Sequence, residues 1–278
     1  MAPIKYCHGG KLISDFHIHA GMISFCVTTY NTSKTLDNFF NSFDDLSIEY
    51  EIVVVDNNSK DGTDEYFKNL KNSHVKFIQD KCNRGEGRSI AIKNSSGDHI
   101  IMLDADIEYM KLQAIIDQCL DVTNKNSLNH FKSNTVGVNI TGASKEIFSK
   151  LGLYPPINCY EDIYIWDLAN NLGILNRVHI PDDYAETIKV NEFTGTISEW
   201  RYSKGYYEYL KRWIEKSADI IFVQNQTYSA FKKFNKVDSL KKTVSSLFLY
   251  ITGKIYAKLF IRIPSVEEKI IEIKDKMN

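Results

Sequence analysis

Two aspartates one residue apart, Asp104 and Asp106, close the apolar run of residues 100–103, Ile-Ile-Met-Leu. Such a run reads as a strand buried on both faces. Side chains alternate along a strand, so both carboxylates are expected to leave its carboxyl end from one face. Carboxylates held this close repel unless a cation sits between them, and hard oxygen ligands suit Mg²⁺ or Mn²⁺ carrying a substrate's phosphates. The same Asp104-Ala105-Asp106 triplet also suits a solvated loop after a core strand, so its chemistry depends on its neighbours. His17 and His19 form another spaced pair that would share a strand face. No third ligand lies near them in sequence, and exposed histidines on an edge strand account for them better.

The elements that must position the aspartates follow from periodicity. Residues 23–29 read as a strand running into Tyr30-Asn31, after which Ser33 is expected to cap a helix with Leu36, Phe39, Phe40 and Phe43 at helical spacing. Residues 51–55 form a second buried strand, closed by Asp56-Asn57-Asn58-Ser59, and Asp61-Gly62-Thr63-Asp64 turns the chain into a helix. Residues 75–78 make a third strand. Asn83-Arg84-Gly85-Glu86-Gly87-Arg88 then enters a helix, and Ser95-Ser96-Gly97 breaks to the strand that ends at Asp104.

Four strands alternating with three helices predict an α/β fold with a mostly parallel sheet flanked by helices. In such a sheet the polar ends of the strands share one edge, where ligands bind at a switch in strand order. The clusters at 28–31, 56–59, 84–88 and 104–106 are therefore expected to converge. Further on, residues 112–120 read as a helix, 135–140 as a strand and Gly142-Ala143-Ser144 as a turn into a short helix ending at Gly152. Glu161 and Asp162 open a helix, where its dipole favours negative charge. Residues 177–180 read as a strand.

Composition bounds the class. With 278 residues, 43% hydrophobic, 25% charged and 5 prolines, the chain reads as a soluble globular protein of one large domain or one domain with an appendage. Its net charge of −1 hides an asymmetry: residues 1–200 carry −9 and residues 201–278 carry +8. A basic tail suggests an anionic neighbour, most simply phospholipid headgroups. Five scattered cysteines without a Cys-x-x-Cys pair read as buried or idle thiols in a reducing compartment. Neither a leader peptide nor a spanning helix is expected, which points to a cytoplasmic protein.

The order Thr28-Thr29-Tyr30-Asn31, Val55 to Thr63, Asn83-Arg84-Gly85, Asp104-Ala105-Asp106, Gly142 and Glu161-Asp162 resembles family 2 glycosyltransferases of the GT-A fold. The resemblance covers roughly residues 23–180 and rests on the order and spacing of five motifs. It implies an inverting enzyme with a nucleotide-diphosphate-sugar donor of the UDP or GDP type, and Mn²⁺ or Mg²⁺. It further implies that Thr28, Tyr30 and Asp56 hold the base, with Asn31, Asn58, Arg84, Gly85, Arg88 and Ala105 completing the donor side. Asp104 would serve the ribose or share the metal, Asp106 would bind the metal, and Asp162 would act as general base. Glu161 and Gly142 would line the acceptor side. The Gln-x-x-Arg-Trp segment of processive synthases is missing, and Arg212-Trp213 resembles it only superficially.

These readings divide the chain into an extension (1–22), a catalytic domain with a nucleotide half (23–106) and an acceptor half (107–197), and a helical, basic, aromatic C-terminal region (198–278). There, aromatics interleave with cations. Gly253 is expected to separate an apolar run from an amphipathic helix suited either to an inner membrane face or to internal packing. The expected acceptor is a glycan or a lipid-linked molecule. An oligomer is compatible with the sequence, whereas nucleic acid is not an expected partner. A nucleotidyltransferase and a non-catalytic nucleotide-sugar-binding module are the alternatives.

Overall fold

A computed structural model describes residues 21–121, 126–134, 138–188, 205–224, 227–234 and 240–277. His17 and His19, and the aromatic-basic stretch from Trp200 to Lys204, lie outside the described residues.

The expected alternation is present. Strands β1 (Ile23–Thr29), β2 (Tyr50–Asp56), β3 (Val75–Gln79) and β4 (His99–Asp104) alternate with helices α1 (Leu36–Asn41), α2 (Thr63–Asn69) and α3 (Arg84–Asn94). β1, β2 and β4 are buried along almost their whole length, which is why their sequences are near-continuous apolar runs. The helix before β2 is not capped by Ser33 as expected. Thr35 occupies the N-cap without a side-chain bond, and Ser33 instead bonds Asp61 through both its backbone N–H and its hydroxyl. At α3 a capping box between Asn83 and Glu86 fixes the helix start.

After the two-residue strand β5 (Ile107–Glu108) and α4 (Leu112–Asp121), the chain adds β6 (Leu128–Lys132), β7 (Asn139–Ser144), α5 (Lys145–Leu151), α6 (Glu161–Asn171), β8 (Leu175–His179) and β9 (Glu186–Thr187). The main sheet has the order β3-β2-β1-β4-β7-β6-β8. Its first four strands are parallel, and β7 runs antiparallel between β4 and β6. Gly142 is therefore not in a turn. It pairs with Ile101 on one side and Asn129 on the other, in the interior of the sheet. β6 has no apolar signature because two of its buried residues are polar: Asn129 accepts a bond from Asn176 on β8, and His130 bonds Asn139 on β7.

Each face of the sheet has its own core. α1, α2 and α4 cover one face over Phe25, Val27, Val54, Ile101 and Leu103. α3, α5 and α6 cover the other over Cys26, Val53, Val55, Met102 and Ile100. The C-terminal region forms α7 (Tyr206–Gln224), α8 (Tyr228–Phe234), α9 (Leu240–Phe260) and α10 (Val266–Met277). It joins the second core through Val223 and Ile273, and Tyr164 of α6 donates to the carbonyl of Pro264.

Candidate active site

The register sets the site. Thr28 pairs with Asp104 and Thr29 with Asp56, so the polar ends of β1, β2 and β4 stand side by side. A cleft of about 310 Å³ opens there. Thr28, Tyr30, Arg84, Asp104, Ala105 and Asp106 line it, as the sequence leads one to expect. The strand ends at Asp104, however, and Ala105-Asp106 belong to a turn. The two carboxylates share the cleft because that turn folds back into β5, not because a strand continues.

Other expected donor residues stand behind the cleft wall. Asp56 is fully buried and accepts bonds from the Thr29 hydroxyl and from both the N–H and hydroxyl of Ser59. It braces the loop after β2 and does not reach the cleft; the neighbouring Asn57 does. Asn31 and Asn58 adopt positive φ, and the Asn31 carboxamide accepts from the Lys60 N–H, so both shape the turns and neither lines the cleft. Gly85 lies under the 155–157 segment. A Cβ there would fall 1.8 Å from the Pro155 carbonyl oxygen, and the Gly85 N–H donates to Ile157 O at 3.0 Å. Only glycine fits this crossing.

Arg88, expected on the donor side, does not line the cleft either. Its guanidinium, 9% exposed, donates through Nη2 to Asp104 Oδ1 at 3.0 Å and lies 3.5 Å through Nε from Glu161 Oε1. It links the end of β4 to the first turn of α6. Glu161 is 1% exposed; burial pushes its carboxyl up, against the pull of Arg88 and Arg84, and its Oε2 has no hydrogen-bond partner among the described residues. Asp162, one residue on, is half-buried and does not line the cleft. Among the described residues its Oδ1 accepts a local bond, from the Ile163 N–H. Its charge acts on Arg88, Tyr154 and His130.

Three cleft residues come from α7, a helix outside the motif region: Arg212, Glu215 and Lys216. Arg212 stacks over the Tyr30 ring at 5.5 Å and donates to its hydroxyl at 3.4 Å, while its buried Nε has no partner among the described residues. Of the Arg-Trp pair, Arg212 thus stands at the cleft, and Trp213 does not line it. Its signal was the Arg212-Trp213 dipeptide itself, without the glutamine.

α7 also supports the loop before α6. Asp219, 5% exposed, accepts through Oδ2 from the Asn158 N–H at 3.1 Å and the Cys159 N–H at 3.0 Å. Asn158 and Cys159 line the cleft, and Tyr160 follows at φ 66°, a conformation uncommon for a non-glycine residue. From the other side Arg84 N–H donates to the Asn158 carboxamide. Burial pushes Asp219 up to about 7; the two N–H bonds oppose this, and Glu161 and Glu215 reinforce it. The folded state therefore holds a proton that the unfolded state releases, and stability falls as pH rises from about 4 to about 7. Asparagine keeps the acceptor without the charge. Asp219→Asn is expected to raise the unfolding temperature above pH 7 and to change it little near pH 4, as thermal unfolding across that range would read. The Cys159 thiol is itself pushed up to about 12 by burial, which argues against a nucleophilic role.

Residues able to hold a divalent cation are few. No group of three His, Cys, Asp or Glu gathers among the described residues. Asp104 is partly neutralised by Arg88, while Asp106 is exposed at the cleft. Oxygen donors without a closed cage fit a Mg²⁺-type ion that completes its shell with phosphate oxygens and water, and do not fit a structural zinc.

Residues 24–124 match the model of Glycosyl transferase family 2. The poly-beta-1,6-N-acetyl-D-glucosamine synthase of Staphylococcus epidermidis is 34% identical over 101 residues, 34% of this chain and 24% of that one. The match thus spans about a quarter of that relative's length. Among solved structures, S. aureus TarS 1-349 in complex with UDP-GlcNAc gives a TM-score of 0.53 at 17% identity, over 92% of this chain and 91% of that one. The mannosyltransferase PcManGT of Pyrobaculum calidifontis, in complex with GDP-Man and Mn²⁺, gives 0.53 at 13% identity, over 93% and 87%. At these identities the likeness is one of fold, and that fold is GT-A.

Proposed function

We propose that this chain, a family 2 glycosyltransferase by its residues 24–124, transfers one sugar from a nucleotide-diphosphate donor to a glycan or lipid-linked acceptor with inversion. The observation that carries the reading is the cleft itself. Asp104 and Asp106 lie in it, and Arg88 ties Asp104 to the first turn of α6, where Asp162 stands.

The donor's base would lie against Thr28, Tyr30 and Asn57, an aromatic face with polar neighbours able to hydrogen-bond a pyrimidine or purine edge. Its diphosphate would meet Arg84, Arg212 and Lys216, whose positive charge suits developing negative charge on the leaving nucleotide. Asp106, with Asp104, would hold Mn²⁺ or Mg²⁺, which when bound supplies Lewis-acid stabilisation of that leaving group. Asp162 would take the proton of the acceptor hydroxyl as it attacks the anomeric carbon opposite the diphosphate. The UDP-GlcNAc and GDP-Man of the two fold neighbours lend support to a donor of this class. Glu161 would keep its carboxylate on Arg88 and so orient the helix start that carries Asp162.

Replacing Asp106 by alanine tests the metal assignment. Transfer stimulated by Mn²⁺ is expected to fall at least about a hundredfold, with the Mn²⁺ dependence of donor binding lost in calorimetry. Unchanged Mn²⁺-dependent turnover would remove Asp106 from the site.

A further inference from the structure

Helix α9, 21 residues long, has two faces with different surroundings. Toward the protein, Ser246 and Gly253 are buried. Gly253 does not divide this helix, as its sequence position suggests; it brings α9 against α7. A Cβ there would lie 3.0 Å from the Ser217 Cβ and 3.1 Å from the Ala218 nitrogen. On the outer face Val244, Leu247, Phe248, Ile251, Ile255 and Leu259 recur every three or four residues, each between 42% and 64% exposed. Single exposed apolar residues are ordinary, but a stripe this long marks a docking surface.

Charge identifies the occupant. From residue 240 to residue 266 the sequence carries Lys241, Lys242, Lys254, Lys258 and Arg262 and no acidic residue. Lys254 and Lys258 are both exposed and lie one turn apart on one flank of the stripe. A second copy docked through the same face would set these cations against each other, with Glu267 of the groove wall too few to pair them. Anionic lipid satisfies both features, because acyl chains take the apolar stripe and headgroup phosphates take the ammonium groups. Beside the stripe a mostly apolar groove of about 540 Å³ opens between the end of α7, α9 and the start of α10, with Lys254, Lys258 and Glu267 in its wall.

We propose that the outer face of α9 docks onto the surface of a membrane containing anionic phospholipid and lies in the interface plane. No helix of the described residues is long and apolar enough to cross a membrane. Arg212 and Lys216 leave α7 on a different side from Ser217 and Ala218, which receive α9, and Glu215 accepts from the hydroxyl of Tyr256, a half-buried residue of α9 outside the stripe. Docking through α9 therefore leaves the donor cleft accessible, and the proposal stands apart from the chemistry assigned to that cleft.

Co-sedimentation with vesicles tests it, using phosphatidylcholine alone and phosphatidylcholine mixed with phosphatidylglycerol. The full chain is expected to bind the mixed vesicles and to bind the neutral ones at least about tenfold more weakly. The double variant Phe248→Ser, Ile255→Ser is expected to lose at least about tenfold in binding, and Lys254→Gln and Lys258→Gln about fivefold each. All three are expected to keep wild-type thermal unfolding and nucleotide-sugar binding. No binding to the mixed vesicles, or equal binding by the stripe variant, overturns the proposal. So does a dimer in light scattering that the stripe variant converts to monomer, which would assign the face to a second copy.

Discussion

Asp162→Asn is expected to lower kcat for sugar transfer by about 10²–10⁴-fold, the usual contribution of a positioned general base, while leaving the affinity for the nucleotide-sugar donor unchanged. The split follows from position. Asp162 does not line the donor cleft, and its hydrogen bond is to the adjacent Ile163 N–H, which an asparagine oxygen accepts equally well. The substitution therefore removes the proton acceptor without disturbing the start of α6. Single-turnover transfer combined with calorimetric titration of the donor would measure both quantities. A wild-type rate would exclude Asp162 as the base, and a parallel loss of donor affinity would move its role to the ground state.

Arg88→Met is expected to act on stability as strongly as Asp162→Asn acts on rate. It removes the guanidinium from between Asp104 and a Glu161 that is 1% exposed, leaving Glu161, among the described residues, Arg84 as its cation, whose Nε is 3.9 Å away. Breaking one side of a buried charge pair costs about 3–5 kcal/mol, since the remaining charge stays desolvated. For a protein of this size that is a fall in Tm on the order of 10 °C. Burial already raises the Glu161 carboxyl, and the loss of Arg88 raises it further. The folded variant then prefers the protonated acid, so its deficit is expected to shrink at low pH and to grow as pH rises above the ordinary glutamate range. Adding Glu161→Gln to the variant is expected to restore most of the stability at neutral pH. It is not expected to restore activity, because the tie from Asp104 to the start of α6 stays broken.

The two substitutions separate chemistry from scaffold within one short segment. Neighbouring acids at the first turn of α6 have unlike environments: Glu161 is enclosed and ion-paired, whereas Asp162 is half-buried with an oxygen that, among the described residues, accepts from the adjacent Ile163 N–H. A carboxylate meant to accept a proton from an incoming hydroxyl cannot be locked in an arginine pair, and one meant to hold a helix in place is best so locked. Asp219 extends the same division to α7. It fixes the backbone of Asn158 and Cys159 just ahead of this turn, which gives the basic C-terminal region a part in shaping the site.

The sequence by itself determined the alternation of strands and helices up to Asp104, and with it the convergence of Thr28, Tyr30, Arg84 and Asp106 on one edge. The reason is that strand burial, helical spacing and turn residues are local patterns, and parallel strands leave little freedom for where their carboxyl ends lie. Only the tertiary structure decided which polar residues face the cleft. Asp56 and Arg88 have the right types in the right motifs, yet both are turned inward, because packing between sheet and helix and the need to pair each buried charge are long-range conditions. Gly142 had the local look of a turn and became sheet interior because β4 and β6 pair with it from either side. Glu215 and Lys216 were beyond reach for the complementary reason: their place at the cleft is set by how α7 packs, and no pattern along the chain records that.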